Sequence, residues 1–177
     1  MARFDRMPID LGDPARWRDS FPARQPASSE VAAGAVSGIV AGLVAWAVAM
    51  LLTPEHLGSV HSLRLVAATF FGTAAIAPDS VGLPSFVGAL LAGITSVAFG
   101  LVFVSILRPA APVRRALLVG ALYGAVLFFP AWYAMVQLFD PLLYRAGEGL
   151  QGLVLALHLL YGLTLGFLVP LLRKILP

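Results

Sequence analysis

The sequence predicts an all-α membrane protein: a four-transmembrane-helix bundle with one short interfacial or re-entrant helix between helices 1 and 2. Three observations predict it. Of 177 residues, 59% are hydrophobic and only 12% are charged, whereas soluble domains are roughly half apolar and a quarter charged. The mean hydropathy is +0.89, and a chain this short has too much surface for its volume to hide so much apolar side chain from water. The apolar residues also gather into four runs, each close to the twenty or so residues a helix needs to cross hydrocarbon. No water is available there to the backbone, so each run must satisfy its own hydrogen bonds as a helix.

Residues 1–30 read as a polar cytoplasmic tail, with Arg3, Asp5, Arg6, Asp10, Asp13, Arg16, Arg18, Asp19 and Arg24 nearly cancelling in charge. Such a segment is disordered alone or orders against a partner, and it is too long and too acidic to open a signal peptide. The membrane domain is expected over 31–177. Its first run spans 31–52, with Ser29 as N-cap, Glu30 favourable in the first turn, and Thr53-Pro54 as the stop. The next apolar segment, 62–77, is shorter and carries Arg64, which fits a helix lying in or dipping into the interface better than a span. Three further spans follow at 85–107, 116–138 and 150–172. A basic connector with Arg108, Arg114 and Arg115 separates the first two, and one with Asp140, Pro141, Arg145 and Glu148 separates the last two.

Lys and Arg near span ends set the orientation. With a cytoplasmic N-terminus, the inside holds Arg3, Arg6, Arg16, Arg18, Arg24, Arg108, Arg114, Arg115, Arg173 and Lys174, and the outside Arg64 and Arg145, ten against two. A fifth span at 62–77 would put Arg108, Arg114 and Arg115 outside. Four spans with both termini in the cytoplasm, in a bacterial-type inner membrane, is the consistent solution.

Several functions lose their basis. The formal charge is +3, yet no Lys/Arg run reaches five, so no nucleic-acid partner is expected. There are no cysteines, hence no disulfide and no thiolate ligand. No metalloprotease helix motif, no nucleophile elbow and no phosphate loop is present, so no enzyme is expected, nor a catalytic residue or a metal site. Glu55, His56 and His61 are too sparse to make one. Asp, Glu, Lys and Arg are missing from all four spans, whereas ion-coupled transporters place such groups at depth.

Small residues line each span at four-residue steps: Gly34, Gly38 and Gly42; Ala92, Ser96 and Gly100; Gly120 and Gly124; Gly162 and Gly166. In lipid such stripes let backbones approach closely. They serve packing inside the bundle, or, for the doubled stripe of the first span, docking of another protein. Trp46, Trp132, Tyr133 and Tyr144 fall near the outer ends as interfacial anchors. Pro130 and Pro170 leave the carbonyls of Val126 and Gly166 without donors and are expected to kink their helices. His158 is the one ionisable residue within a span. It shares a face with Gly162 and Gly166, beside Tyr161, so the imidazole is expected to hydrogen-bond to a neighbouring helix, or, with Tyr161, to bind a ligand, quinone or haem.

Four stretches, Gly38-Ile-Val-Ala-Gly-Leu-Val-Ala, Gly100-Leu-Val-Phe-Val-Ser, Leu118-Val-Gly-Ala-Leu-Tyr-Gly-Ala-Val-Leu and His158-Leu-Leu-Tyr-Gly-Leu-Thr-Leu-Gly, resemble the YagU-like small inner-membrane proteins. The resemblance implies a compact four-span protein and carries no catalytic residue. The leading functional expectation is an accessory, non-catalytic subunit or stabilising partner of a larger membrane complex, surrounded by lipid and other membrane subunits and without a resident cofactor. The alternatives are a small permease or channel for a neutral solute, lined by Pro130, Pro170, His158 and Tyr161, and a redox-associated subunit with His158 against a haem or quinone.

Overall fold

A computed structural model of the chain describes residues 28–52, 59–77, 82–109 and 111–176, and among these there are helices and turns but no strand. All but the end of the polar tail, and Glu55 and His56 of the loop trio, lie outside the described residues. Helix α1 covers Ser28–Leu52, α2 Ser59–Phe71, α3 Gly82–Ile106, α4 Val113–Phe139, α5 Pro141–Ala146 and α6 Gln151–Ile175. Four of them, α1, α3, α4 and α6, are long and apolar enough to cross a membrane. At 25 residues and a rise of 1.5 Å per residue, such a helix is about 38 Å long, against a hydrocarbon core of about 30 Å.

Helices α1, α3 and α4 start ahead of the apolar runs that predict them: α1 and α4 continue through polar residues that hydropathy discounts, and α3 takes in Gly82 and Pro84, with the proline in its first turn. Ser29, expected as the N-cap, accordingly lies inside the first turn of α1. The break at Pro130 takes a definite form. Helix α4 passes through a π-helical turn at Ala131–Val136 before resuming α geometry over Gln137–Phe139, a common way to absorb a missing donor. Helix α6 instead runs through Pro170 to Ile175.

The long helices assemble as two antiparallel pairs at backbone contact. In the α1/α3 pair, a Cβ on Gly100 would sit 2.9 Å from Gly38 Cα, and one on Gly38 would collide with the Ser96 carbonyl. In the α4/α6 pair, a Cβ on Gly162 would sit 2.9 Å from Gly124 N, and one on Gly166 2.9 Å from the Ala116 carbonyl carbon. Helix α1 also packs against α6, joining the pairs. Where the pairs are further apart, large side chains fill the gap: Phe103, Leu165 and Val169 are fully buried, and Phe103 meets Tyr123 with ring centroids 5.3 Å apart.

Each end of the bundle is held by a charged side chain. At one, Arg173 donates to the carbonyls of Val104 (3.1 Å), Leu107 (3.2 Å) and Arg108 (3.3 Å) and lies 3.9 Å from the Glu30 carboxylate. Val104 lies in the last turn of α3, whose carbonyls run out of helical donors, and Leu107 and Arg108 follow directly after it. At the other end, Asp140 accepts the Leu143 N–H at 3.0 Å, capping α5, and the Thr69 hydroxyl of α2 at 2.9 Å. Asp140 is 4% exposed, and burial pushes its carboxyl above the ordinary carboxylate range while its two donors pull it back. The segment read as a plain connector thus contains the short helix α5.

The short helix α2 ends in a 3-10 turn, Gly72–Ile76, entered through Gly72 at φ +56°. Arg64 folds back to donate to the carbonyls of Ala75 (2.8 Å) and Ala77. The chain returns on itself, with Ala67, Ala68 and Ala75 as a small core of its own. The Leu63 carbonyl presses on Gly88 of α3, where an added Cβ would lie 2.6 Å from the Leu63 carbonyl carbon.

Candidate binding site between the helix pairs

Side chains that carry chemistry meet in one place. A cavity of about 310 Å³ opens between the two helix pairs, lined from all four long helices and from α2. Its walls are Gly42 and Ala45 of α1, Val66 of α2, Ala92, Thr95, Ser96 and Phe99 of α3, Leu127 of α4, and Leu157, His158 and Tyr161 of α6. One turn towards the Arg173 end, the buried cluster of Phe103, Tyr123, Leu165 and Val169 closes it. The two residues singled out in the sequence, His158 and Tyr161, both line it. Gly42 lines it too, while Gly34 and Gly38 are buried against α3, and Gly120, Gly124, Gly162 and Gly166 lie along the α4/α6 crossing.

The hydrogen bonds differ from the expectation. His158 makes its hydrogen bond within its own helix: its Nδ1 is 2.8 Å from the Val154 carbonyl, one turn back. A Cβ on Gly124 would lie 2.8 Å from the His158 carbonyl carbon, so α4 and α6 touch at the main chain there. The ring stands edge-on to Phe128, with centroids 5.7 Å apart at 75°. A carbonyl can only accept, so Nδ1 carries the proton, and in the neutral imidazole Nε2 is then a free lone pair rather than a donor. That tautomer follows from the bonding partner.

The interhelical bond is made by Tyr161, whose hydroxyl donates to the Ser96 carbonyl of α3 at 2.7 Å. Tyr123 does the same to the Phe99 carbonyl at 2.8 Å. Sequence reasoning passed over Tyr123, and nothing at its position distinguishes it from a tyrosine facing lipid except Gly120, one turn back on the same side of the helix. Trp132 is a correction. Expected as an interfacial anchor, it is 4% exposed, packed against Tyr144 with ring centroids 5.5 Å apart and the planes tilted by 34°, and covered by Gly147, where an added Cβ would collide with the indole. Tyr133, half exposed, and Trp46 do lie on the outer surface. The doubled glycine stripe of α1 is likewise not a free face, because α3 occupies it.

No family model, curated protein or solved structure gives a significant match to this chain. The YagU-like resemblance therefore stands on the four quoted stretches alone.

Proposed function

We propose that this chain is a four-span protein of a bacterial-type cytoplasmic membrane that binds a small, neutral, largely apolar molecule carrying one hydrogen-bond donor, with that donor given to His158 Nε2. The cavity beside His158 is the observation that carries the reading. None of its lining residues is Asp, Glu, Lys or Arg, so a charged solute would lose its hydration with nothing to replace it. Its volume of about 310 Å³ lies at the lower end of small-molecule pockets. Tyr161 contributes shape, since its hydroxyl is already committed to Ser96. Among redox molecules a quinol, which offers a hydroxyl, suits this histidine tautomer, and a quinone, which only accepts, does not. A bis-histidine haem would need a second ligand beside His158, and His61 belongs to the short helix α2 and is not among the residues that line the cavity.

Support for the membrane placement comes from the four apolar helices and the charge at their ends. Arg108, Arg114, Arg115, Arg173 and Lys174 belong to the Arg173 end, and Arg64 and Arg145 to the Asp140 end, so the Arg173 end faces the cytoplasm. Helix α2 is re-entrant in this reading. Leu63 meets α3 at Gly88, six residues or about 9 Å along the helix, and Val66 lines the cavity. The YagU-like likeness enters here as a compact four-span architecture. The accessory-subunit reading keeps the lack of charge within the four apolar runs but loses the free glycine face; copurification from native membranes tests it separately.

The probe for binding is 2-naphthol, a neutral phenol that partitions into membranes, titrated by fluorescence against the protein in lipid nanodiscs. The expected result is saturable binding that weakens about tenfold in His158→Leu, the loss of one hydrogen bond. Uptake no greater than by empty nanodiscs would remove the reading.

A further inference from the structure

A second, smaller cavity of about 170 Å³ lies beside the first, with Ile39, Leu43, Trp46, Leu63 and Gly93 in its wall. It shares Gly42, Ala92 and Ser96 with the cavity at His158. Its position follows from the packing. Along α1 and α3 the backbones touch at Gly34 with Gly100 and at Gly38 with Ser96. One step further, Gly42 faces the Ser96 side chain and no longer backbone, a Cβ on Gly93 would meet nothing within 4 Å, and Gly88 packs against α2 instead. A groove opens where α1 parts from α3 and α2 enters. Its outer wall is exposed and apolar, with Leu43 58%, Ile39 46% and Trp46 36% exposed.

We infer that the molecule bound at His158 arrives sideways from the lipid, through this groove, with the Ser96 side chain opposite Gly42 as the constriction. The inference rests on the binding reading above. A neutral apolar molecule is concentrated in the bilayer, where the groove's exposed wall lies, and neither cavity has a charged lining residue to bar its way. The packed cluster at Phe103, Leu165 and Val169 closes the path from the Arg173 end. At the constriction, Gly42 has no side chain, and an added Cβ would collide with Ser96 Oγ and lie 3.0 Å from Ser96 Cβ. A rotation of the Ser96 hydroxyl is therefore the smallest movement that widens the passage.

Gly93 lines the groove but not the inner cavity, and a Cβ there meets nothing within 4 Å. Gly93→Leu therefore plugs the groove without displacing backbone. Stopped-flow binding of 2-naphthol to nanodisc-embedded protein should show association and dissociation both slowed at least tenfold in G93L. The equilibrium constant should stay unchanged, since a blocked route alters both rates equally. Unchanged rates would overturn the lateral route while leaving the His158 site in place. Weaker binding with unaltered association would make the groove part of the site and not a route, which also overturns it. Absence of binding by the unaltered protein would overturn the site and the route together.

Discussion

The hydroxyl of Tyr161 donates to the main-chain carbonyl of Ser96 at 2.7 Å, and that same carbonyl oxygen occupies the place a Cβ on Gly38 would need. One peptide group of α3 is thus held from α6 by a hydrogen bond and from α1 by close contact. The two helix pairs are registered to each other there, at the floor of the cavity.

Tyr161→Phe removes the bond and keeps the ring. The expected loss is about 1 kcal/mol, the usual value of one hydrogen bond, with membrane examples somewhat lower. Thermal unfolding in detergent measures it. Full stability in Y161F would show that the ring alone sets the register.

Glycines separate into two kinds. Gly162→Val puts side-chain atoms into the Gly120 and Gly124 backbone, which cannot yield without parting α4 from α6, at a cost of more than about 3 kcal/mol. Gly93→Ala and Gly152→Ala meet nothing within 4 Å and should change stability by less than about 1 kcal/mol. The comparison is a ranking of melting temperatures among the three variants, and equal loss in all three would contradict the crossing geometry.

Asp140 makes stability depend on pH with a definite sign. Its carboxyl, raised by burial, holds a proton in the folded chain at pH values where the unfolded chain, near 3.8, has released it. Stability therefore falls as pH rises from about 3.8 through the raised value and levels off above it. Asp140→Asn keeps a capping oxygen for Leu143 and has no charge to bury, so its profile in this window should lack the Asp140 contribution. Asp140→Ala loses the cap as well, at about 1 kcal/mol. Melting curves of the three proteins across the acid range decide between these outcomes.

Orientation is testable because the chain contains no cysteine. Single replacements Arg115→Cys and Glu148→Cys report the two ends of α4 and α6. A membrane-impermeant maleimide added to intact spheroplasts should label E148C, and should label R115C only after lysis. The opposite pattern would reverse the assignment of the Arg173 end.

Much of the architecture was legible in the sequence, for a physical reason. Hydropathy reports the solvent of a side chain, so the four long helices announce themselves wherever lipid is the solvent. It carries no information about partners. Gly38 and Gly162 could be recognised as places where backbones meet, but which backbone arrives is set by the crossing geometry. The histidine was legible as a polar group facing inward; its bond to Val154 was not, because spacing along a helix places a side chain on a face without saying which carbonyl it reaches. Trp132 was misjudged because the π-helical turn after Pro130 shifts the helical phase, and composition at the end of a helix cannot tell an indole meeting headgroups from one covered by Gly147. Helix α5 escaped notice because six residues are too few for any periodicity to show.

The clasp at Arg173 bears on the order in which the bundle is made. Glu30, Val104, Leu107 and Arg108 all leave the ribosome before the guanidinium that gathers them. The earliest helices therefore find each other without it, through the close packing of their small residues, and the electrostatic latch shuts afterwards. A nascent chain stalled ahead of residue 173 should already allow crosslinking between α1 and α3.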